Sequence, residues 1–154
     1  MKRPIFTLWF IVLILSACAP AVKPLASQNG IEIDQAWIRL PGGAASGSNT
    51  STLGGYMVIK NTGATDDSLV GAQADFAGKT MFHESSVDSN AVATMKMLTT
   101  IDVPAGQTVK LMPGGLHLMF IDLKQNVKMG DKVILILEFK KAGTINLQVD
   151  VMDK

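Results

Sequence analysis

The residues best suited to chemistry in this sequence are its methionines and its two histidines, because they are concentrated in one part of the chain. Five of nine methionines lie between residues 81 and 119, and both histidines lie there too. Thioether sulfur is neutral and soft, so it binds Zn²⁺, Mg²⁺ and Ca²⁺ poorly but Cu(I) well, and neutral imidazole also suits copper. The cluster therefore indicates a candidate site for a soft, monovalent metal ion. Its members are Met81, His83, Met95, Met97, Met112, His117 and Met119.

The spacing within this cluster fits β-strands. In a strand, residues i and i+2 lie on the same face, about 6.5–7 Å apart along the chain. His117 and Met119 have this spacing, as do Met95 and Met97, so each pair is expected to project from one face. The same pattern is also typical of packing, because methionine often fills gaps in protein cores. Spacing alone leaves metal binding and packing both open.

Other chemistries have weaker support. No Cys/His set is present for zinc, and Ser85 and Ser86 lie too close to His83 in sequence to form a nucleophile–base–orienter arrangement on one strand. Fourteen Lys and Arg stand against thirteen Asp and Glu, with no basic run, so nucleic acid is not an expected partner. We therefore expect a binding protein and not an enzyme.

The N-terminal segment predicts a lipoprotein. Residues 1–17 have the basic start and the apolar stretch, at 5–15, of a signal peptide, and that stretch is too short to span a membrane comfortably. The LSAC sequence at 15–18 resembles the bacterial lipobox, which implies cleavage before Cys18 and lipid attachment to its thiol. Cys18 is the only cysteine, so the mature chain would have no free thiol and no disulfide. A soft-metal site must then be built from methionine and histidine.

A lipid on Cys18 would hold the protein on a membrane surface without a spanning helix. We therefore expect a periplasmic, lipid-anchored protein. By resemblance to Gram-negative lipoproteins, Ala19 after the cysteine favours the outer membrane if the host is Gram-negative. Residues 18–30 contain two prolines and small polar residues, and they are predicted to be a flexible tether between the lipid and the domain.

The domain itself, predicted over 31–152, consists of short segments that alternate or are wholly apolar, separated by Gly, Pro, Asn and Asp turns. No helical pattern of useful length is present. Eight or nine short strands at this spacing predict an all-β, antiparallel sandwich or barrel with Greek-key connections. The predicted strands are 31–39, 54–60, 67–73, 79–84, 93–99, 107–111, 116–122, 132–139 and 144–151.

Nearly the whole domain also resembles the periplasmic copper(I) chaperones of the PCuAC type. The most specific match is PGGLHLM at 113–119, combined with HE at 83–84 and MKM at 95–97 upstream. Further matching stretches are AWIR (36–39), GGYMVIKNTG (54–63), DSLVGAQ (67–73), the remainder of 103–124, and GDKVILILEFKKAGTINLQVDV (130–151).

The resemblance implies a cupredoxin-like β-barrel that binds one Cu(I) ion through two histidines and two methionines near its surface. Carried over by position, the ligands would be His83, Met97, His117 and Met119. The segment after His83 is longer than is usual in the family, which leaves Met95 and Met97 as alternatives for one ligand, and Met95 could serve in exchange.

The expected function is delivery of copper to the copper centre of a respiratory oxidase or to another periplasmic copper protein. Two alternatives remain open from the residues alone. One is a β-sandwich lipoprotein that binds no metal and acts as an interaction or assembly module, with its methionines as a contact patch. The other is a copper redox enzyme, which is disfavoured because no cysteine is present for an electron-transfer site.

Overall fold

All regular secondary structure in the computed structural model is β-strand, within the residues that it describes, 23–40 and 52–153. The all-β prediction is confirmed. The predicted signal peptide, Cys18 and the first residues of the tether lie outside the described ranges, and no helix within those ranges could cross a bilayer. The strands are β1 (Ala26–Gln28), β2 (Ile31–Arg39), β3 (Thr52–Asn61), β4 (Asp67–Ala74), β5 (Ala77–Val87), β6 (Ala93–Leu98), β7 (Ile101–Val103), β8 (Thr108–Leu111), β9 (Leu116–Leu123), β10 (Lys132–Phe139) and β11 (Gly143–Met152).

Nine of these strands follow one another in the hydrogen-bonded order β6-β5-β9-β3-β2-β11-β10-β4-β7, with β1 added on β2 and β8 on β3. The long strand β3 pairs with β9 through its first residues and with β8 through its last. One pair departs from the predicted antiparallel arrangement, because the end of β11 runs parallel to β2. Alternation of apolar residues indicates which face of a strand is buried but not the direction of its neighbour, so the sequence could not reveal this pair.

The described residues contain eleven strands where eight or nine were expected. The two that were missed, β1 and β7, have three residues each, which is too short for an alternating pattern to be recognised. β1 also corrects the predicted tether of 18–30, because its residues pair with β2. The folded region therefore begins before Ile31. Gln28 strengthens this attachment, since its side-chain N–H donates to the carbonyl of Ala142 at 2.8 Å.

The strands enclose a single apolar core. Alternate residues of β11 are buried, as the sequence predicted, and their partners face outwards. Phe76 and Phe120 are both fully buried, with ring centroids 5.0 Å apart in a tilted arrangement. Such an aromatic pair stabilises a core by about 0.5–1.5 kcal/mol beyond its area burial. Because Phe120 lies on β9, this packing fixes the strand that carries His117 and Met119 on its opposite face.

Candidate metal centre

Three adjacent strands place two histidines and a methionine in one row. On β5, His83 is directly opposite Met97 of β6 on one side and His117 of β9 on the other. Directly opposed residues of an antiparallel pair have Cβ atoms about 4.5–5.5 Å apart and point to the same face. The imidazole centroids of His83 and His117 are 5.7 Å apart, with the rings at 73° to each other. Three residues that are 14 and 20 positions apart in sequence therefore project together.

The two neighbouring rows contain three more methionines, Met81, Met95 and Met119. Met119 is directly opposite Met81, two residues along from the histidines and on the same face. Met95 is opposite Ser85, two residues along in the other direction. Diagonal neighbours of this kind are about 7–8 Å apart, within reach of a long side chain. The structure thus brings all five predicted metal ligands onto one face, together with Met81.

The register distinguishes the two methionines that the sequence left as alternatives. Met97 lies directly across from His83, whereas Met95 lies one row away, on the side farther from Met119. Met97 is therefore the better placed of the two to share an ion with both histidines and Met119.

A tight turn orients His117. Pro113 and Gly114 form the centre of a turn in which the Gly115 N–H donates to the carbonyl of Met112 at 3.1 Å. Gly114 has a φ of 79°, the left-handed value that the third position of a type II turn requires, and proline favours the second position. The Gly115 carbonyl then accepts hydrogen bonds from the Ser85 N–H at 3.0 Å and from Nδ1 of His117 at 2.9 Å. In a neutral ring with Nδ1 protonated in this way, Nε2 of His117 has a free lone pair.

His83 differs from His117 in its hydrogen bonding. Its Nδ1 atom is buried and has no hydrogen-bond partner. Burial lowers the pKa of His83 below its usual value, and the neighbouring His117 lowers it further. The lowered pKa favours the neutral form of His83, in which imidazole binds metals. Buried polar nitrogens are almost always satisfied, so an orphaned one on a face of histidines and methionines fits a site whose occupant is a metal ion.

Exposure is uneven across the row. Both histidines are only 8% exposed, whereas Met97 is 61% exposed. Of the predicted ligands, Met95 and Met97 on β6 have the most accessible side chains, and β6 lies at one end of the sheet order.

The donor set is restricted in type. Within 23–40 and 52–153, no three His, Cys, Asp or Glu side chains come together in a way that could hold a metal. Clusters of cysteine, histidine or carboxylate side chains, as in most zinc and calcium sites, are therefore not found in this part of the chain. The histidine–methionine face has only neutral donors, which match a soft, monovalent ion.

Two contributors to this face were not predicted from the sequence. Tyr56 of β3 lies beside His117, with ring centroids 6.4 Å apart, and the Gly115 carbonyl orients the same histidine. Alternation in 54–60 separates Tyr56 from its core-facing neighbours, but it does not reveal that β3 pairs with β9. The turn-forming sequence PGG at 113–115, close to His117 in the chain, was the available signal for the second contributor.

Some solved structures of the same fold have copper bound. The structure is similar to the "Copper-bound PCuAC domain from PmoF2", with a TM-score of 0.68 and 22% sequence identity over 83% of this chain and 97% of that one. It is also similar to the "Solution structure of CuI-DR1885 from Deinococcus Radiodurans", with a TM-score of 0.59 and 27% identity over 78% of each chain. The cupredoxin-like fold of the PCuAC type, which the sequence resemblance implied, is confirmed.

Sequence comparison identifies the family. Residues 31–151 match the LpqE-like family, described as "Putative lipoprotein LpqE-like". A protein of Leifsonia xyli subsp. xyli (strain CTCB07), described as "Putative lipoprotein Lxx21020", is 30% identical over 148 residues, covering 93% of this chain and 85% of that protein. The chain belongs to the LpqE-like family, and its own fold is that of the PCuAC domains.

Proposed function

We propose that this protein is a lipid-anchored, extracytoplasmic copper carrier that holds one Cu(I) ion through His83, Met97, His117 and Met119. The observation that carries this proposal is the cross-strand row of Met97, His83 and His117, in which one imidazole has a buried nitrogen without a partner. Met119 adds a second thioether from the same strand as His117.

The chemistry of these donors suits reversible carriage. All four are neutral, so loading needs no deprotonated thiol, and the bound ion keeps its single positive charge. The buried imidazoles can hold the ion in one place, because His117 is oriented by the Gly115 carbonyl and His83 lies on a strand that is paired on both sides. The exposed Met97 is the ligand that an accepting protein can displace first. Met95, one row away, is placed to act as an exchange ligand.

The proposed cellular role rests on the predicted lipid anchor and on the family. Lipid attachment at Cys18 would keep the carrier on a membrane surface facing the periplasm, and the description of its family as lipoproteins supports this. If the host is Gram-negative, Ala19 favours the outer membrane. The recipient would be the copper centre of a respiratory oxidase or another periplasmic copper protein, and copper-bound structures of the same fold support the choice of metal.

A titration of the mature chain with Cu(I), under reducing conditions and against a chromophoric chelator, tests the proposal. We expect one equivalent to bind tightly, with retained folding but much weaker binding in Met119→Leu. Unchanged affinity in that variant would contradict the ligand set.

The second candidate, an interaction module without metal, is favoured by the exposure of Met95, Met97 and Met112. It predicts that the same titration finds no Cu(I) binding. Turnover of a reductant with added Cu(II) would instead support a redox enzyme.

A further inference from the structure

Two aromatic residues extend the ligand row beyond His117. Tyr56 lies beside His117 on β3, and Trp37 of β2 is directly opposite Tyr56. The rings of Trp37 and Tyr56 are 4.7 Å apart between centroids, with their planes at 38°. The row therefore continues as Met97, His83, His117, Tyr56 and Trp37 across five consecutive strands.

An irregularity in β2 places Trp37 on this face. Asp34 is opposite Val58 and Trp37 is opposite Tyr56, so β2 contains one more residue than β3 over the same interval. Such a β-bulge reverses the faces of all residues that follow it. Gln35, in the bulge, has a φ of 51°, a left-handed conformation that is unfavourable for a residue with a side chain.

The burial pattern of β2 confirms the reversal. Before the bulge the core residues are Ile31 and Ile33, and after it they are Ala36 and Ile38. Without the additional residue, Trp37 would share the face of Ile33 and point into the core. β2 thus maintains a strained backbone conformation at Gln35. Its consequence is that Trp37 points towards the histidine–methionine face. Local strain of this kind is a recognised feature of functional sites.

A glycine makes room for Tyr56. A Cβ atom at Gly54 would lie 2.7 Å from the hydroxyl oxygen of Tyr56 and 3.0 Å from its Cζ, so the phenol ring lies over this glycine. Gly54 is the β3 residue directly opposite Met119. The ring consequently occupies the space beside both His117 and Met119, and an alanine at position 54 would displace it.

We propose that Trp37 and Tyr56 form an aromatic wall that positions His117 and Met119 and closes the β3 side of the metal site to water and to competing ligands. The inference rests on the proposed function, because it concerns the same site. Tyr56 is 8% exposed and Trp37 covers it, whereas Met97 at the other end of the row is 61% exposed. Copper is therefore exchanged from the β6 side, and the wall keeps the imidazole of His117 in place during exchange.

Two adjacent glycines supply a matched pair of variants. Gly54→Ala collides with Tyr56 on the ligand face, and Gly55→Ala collides with Phe120 in the core, where its Cβ would lie 2.7 Å from a ring carbon. Both substitutions add one methyl group at neighbouring positions of β3. We expect Gly54→Ala to weaken Cu(I) binding by roughly 10–100-fold, as is typical when a residue that orients a ligand is disturbed. Gly55→Ala, when folded, is expected to retain wild-type affinity although it is less stable.

Tyr56→Leu and Tyr56→Phe test the same proposal without crowding the strand. We expect Tyr56→Leu to lose Cu(I) affinity and Tyr56→Phe to keep the wild-type Cu(I) affinity, because the ring and not the hydroxyl forms the wall. Equal affinity in Tyr56→Leu and wild type would overturn the proposal.

A readout in the metal-free, mature chain separates this proposal from the proposed function. At mildly alkaline pH, imidazole ¹⁵N NMR reports which nitrogen of His117 carries the proton. In the wild type and Tyr56→Phe we expect the Nδ1–H form that donates to Gly115, and in Tyr56→Leu a mixture of both forms. A wild type that fails to bind Cu(I) would contradict the proposed function alone, whereas an unchanged His117 signal in Tyr56→Leu would contradict the wall.

Discussion

At the scale of single residues, the candidate ligands differ in how firmly they are held. His117 is fixed by its hydrogen bond to Gly115, and His83 is buried in a row between Met97 and His117. Met97 projects from the end of the sheet and is largely exposed. Methionine has three rotatable side-chain bonds, so it can adjust to an ion that rigid imidazoles have already positioned. This division suits a site that must bind its ion and also release it.

The register predicts unequal effects of the two methionines of β6. Because Met97 is directly opposite His83, Met97→Leu removes a donor while nearly preserving volume, and we expect at least about a tenfold loss of Cu(I) affinity, equivalent to about 1.4 kcal/mol. Met95→Leu is expected to change affinity less but to slow copper exchange. Chelator competition measures the first quantity, and stopped-flow transfer to the chelator measures the second.

Met129→Leu is a suitable control for these variants. Met129 is also strongly exposed, at 57%, but it lies in the segment between β9 and β10. It should behave as wild type in both measurements. A larger effect of Met95→Leu than of Met97→Leu on affinity would show that the register does not determine the ligand.

At the scale of strands, local irregularities hold the histidine–methionine face in position. The bulge at Gln35 rotates Trp37 outwards, the type II turn at Pro113 and Gly114 places the Gly115 carbonyl, and paired glycines in β3 accept rings on both faces. A regular sheet with the same apolar pattern would lack these three features.

The bulge gives a prediction about stability. Gln35→Gly removes the cost of a left-handed conformation for a residue with a side chain, and this gain exceeds the added flexibility of the unfolded chain. We expect the free energy of unfolding to rise by about 0.5–1 kcal/mol, with Cu(I) affinity unchanged. Gln35→Val should lower it, since a β-branched residue tolerates φ near 51° poorly. Urea unfolding measures both changes, and destabilisation by Gln35→Gly would argue against strain at this position.

A buried carboxylate joins two other parts of the sheet. Asp67, at the start of β4, accepts hydrogen bonds from the backbone N–H groups of Ser68 at 2.7 Å, Lys141 at 2.9 Å and Ala142 at 2.8 Å. Burial alone would raise the pKa of Asp67, but these three hydrogen bonds and the charge of Lys141 lower it below its usual value. Asp67 therefore connects β4 to the turn between β10 and β11.

The lowered pKa sets the pH dependence of stability. A carboxyl group whose pKa is lower in the folded than in the unfolded state stabilises the fold above the unfolded pKa, near 3.9, and this stabilisation is lost as pH falls through the folded pKa. We expect Asp67→Asn to lower the free energy of unfolding at pH 7 by about 2–3 kcal/mol, because its amide cannot accept all three hydrogen bonds.

The difference between wild type and Asp67→Asn should shrink as the pH approaches 2. Urea unfolding at several pH values measures it. Asp131→Asn, at an exposed carboxyl that accepts a single backbone hydrogen bond from Lys128, is the control and should have a smaller effect at neutral pH. A constant difference from pH 7 to pH 2 would contradict the role of the Asp67 charge.

At the scale of the whole molecule, a metal carrier on a membrane needs an anchor that is chemically separate from its site. The chain has one cysteine, at position 18, outside the described residues, and the candidate ligands are all histidine and methionine. A lipid on the only thiol would leave no cysteine to compete for copper. Thioethers and imidazoles would then carry all of the soft-metal chemistry.

Cys18→Ser tests this separation. We expect the variant to lose its lipid and to leave the membrane fraction of the expressing cells, because a serine hydroxyl does not replace the lipobox thiol. Its Cu(I) affinity should match that of the wild-type chain. Membrane fractionation and chelator competition measure the two effects, and a loss of Cu(I) affinity in Cys18→Ser would indicate that the thiol is a ligand.

Local sequence patterns were sufficient for the class of fold, and they supplied the candidate metal donors. Alternation located nine of the eleven strands, and the pairing of His117 with Met119 on one face followed from strand periodicity. The resemblance to PCuAC proteins added His83 and Met97. These properties depend on residues close together in sequence or on a family motif. Both can be recognised in the sequence without knowledge of the tertiary structure.

The long-range register was not available from the chain. It places Met97 and not Met95 opposite His83, joins β2 to β11 in parallel, and turns Trp37 towards Tyr56. A shift of one residue in any of these pairings would exchange the faces of every side chain beyond it, with little change in local pattern. The arrangement of the histidine–methionine face therefore depends on how strands that are distant in sequence pair around one core. The packing of the whole domain selects that pairing.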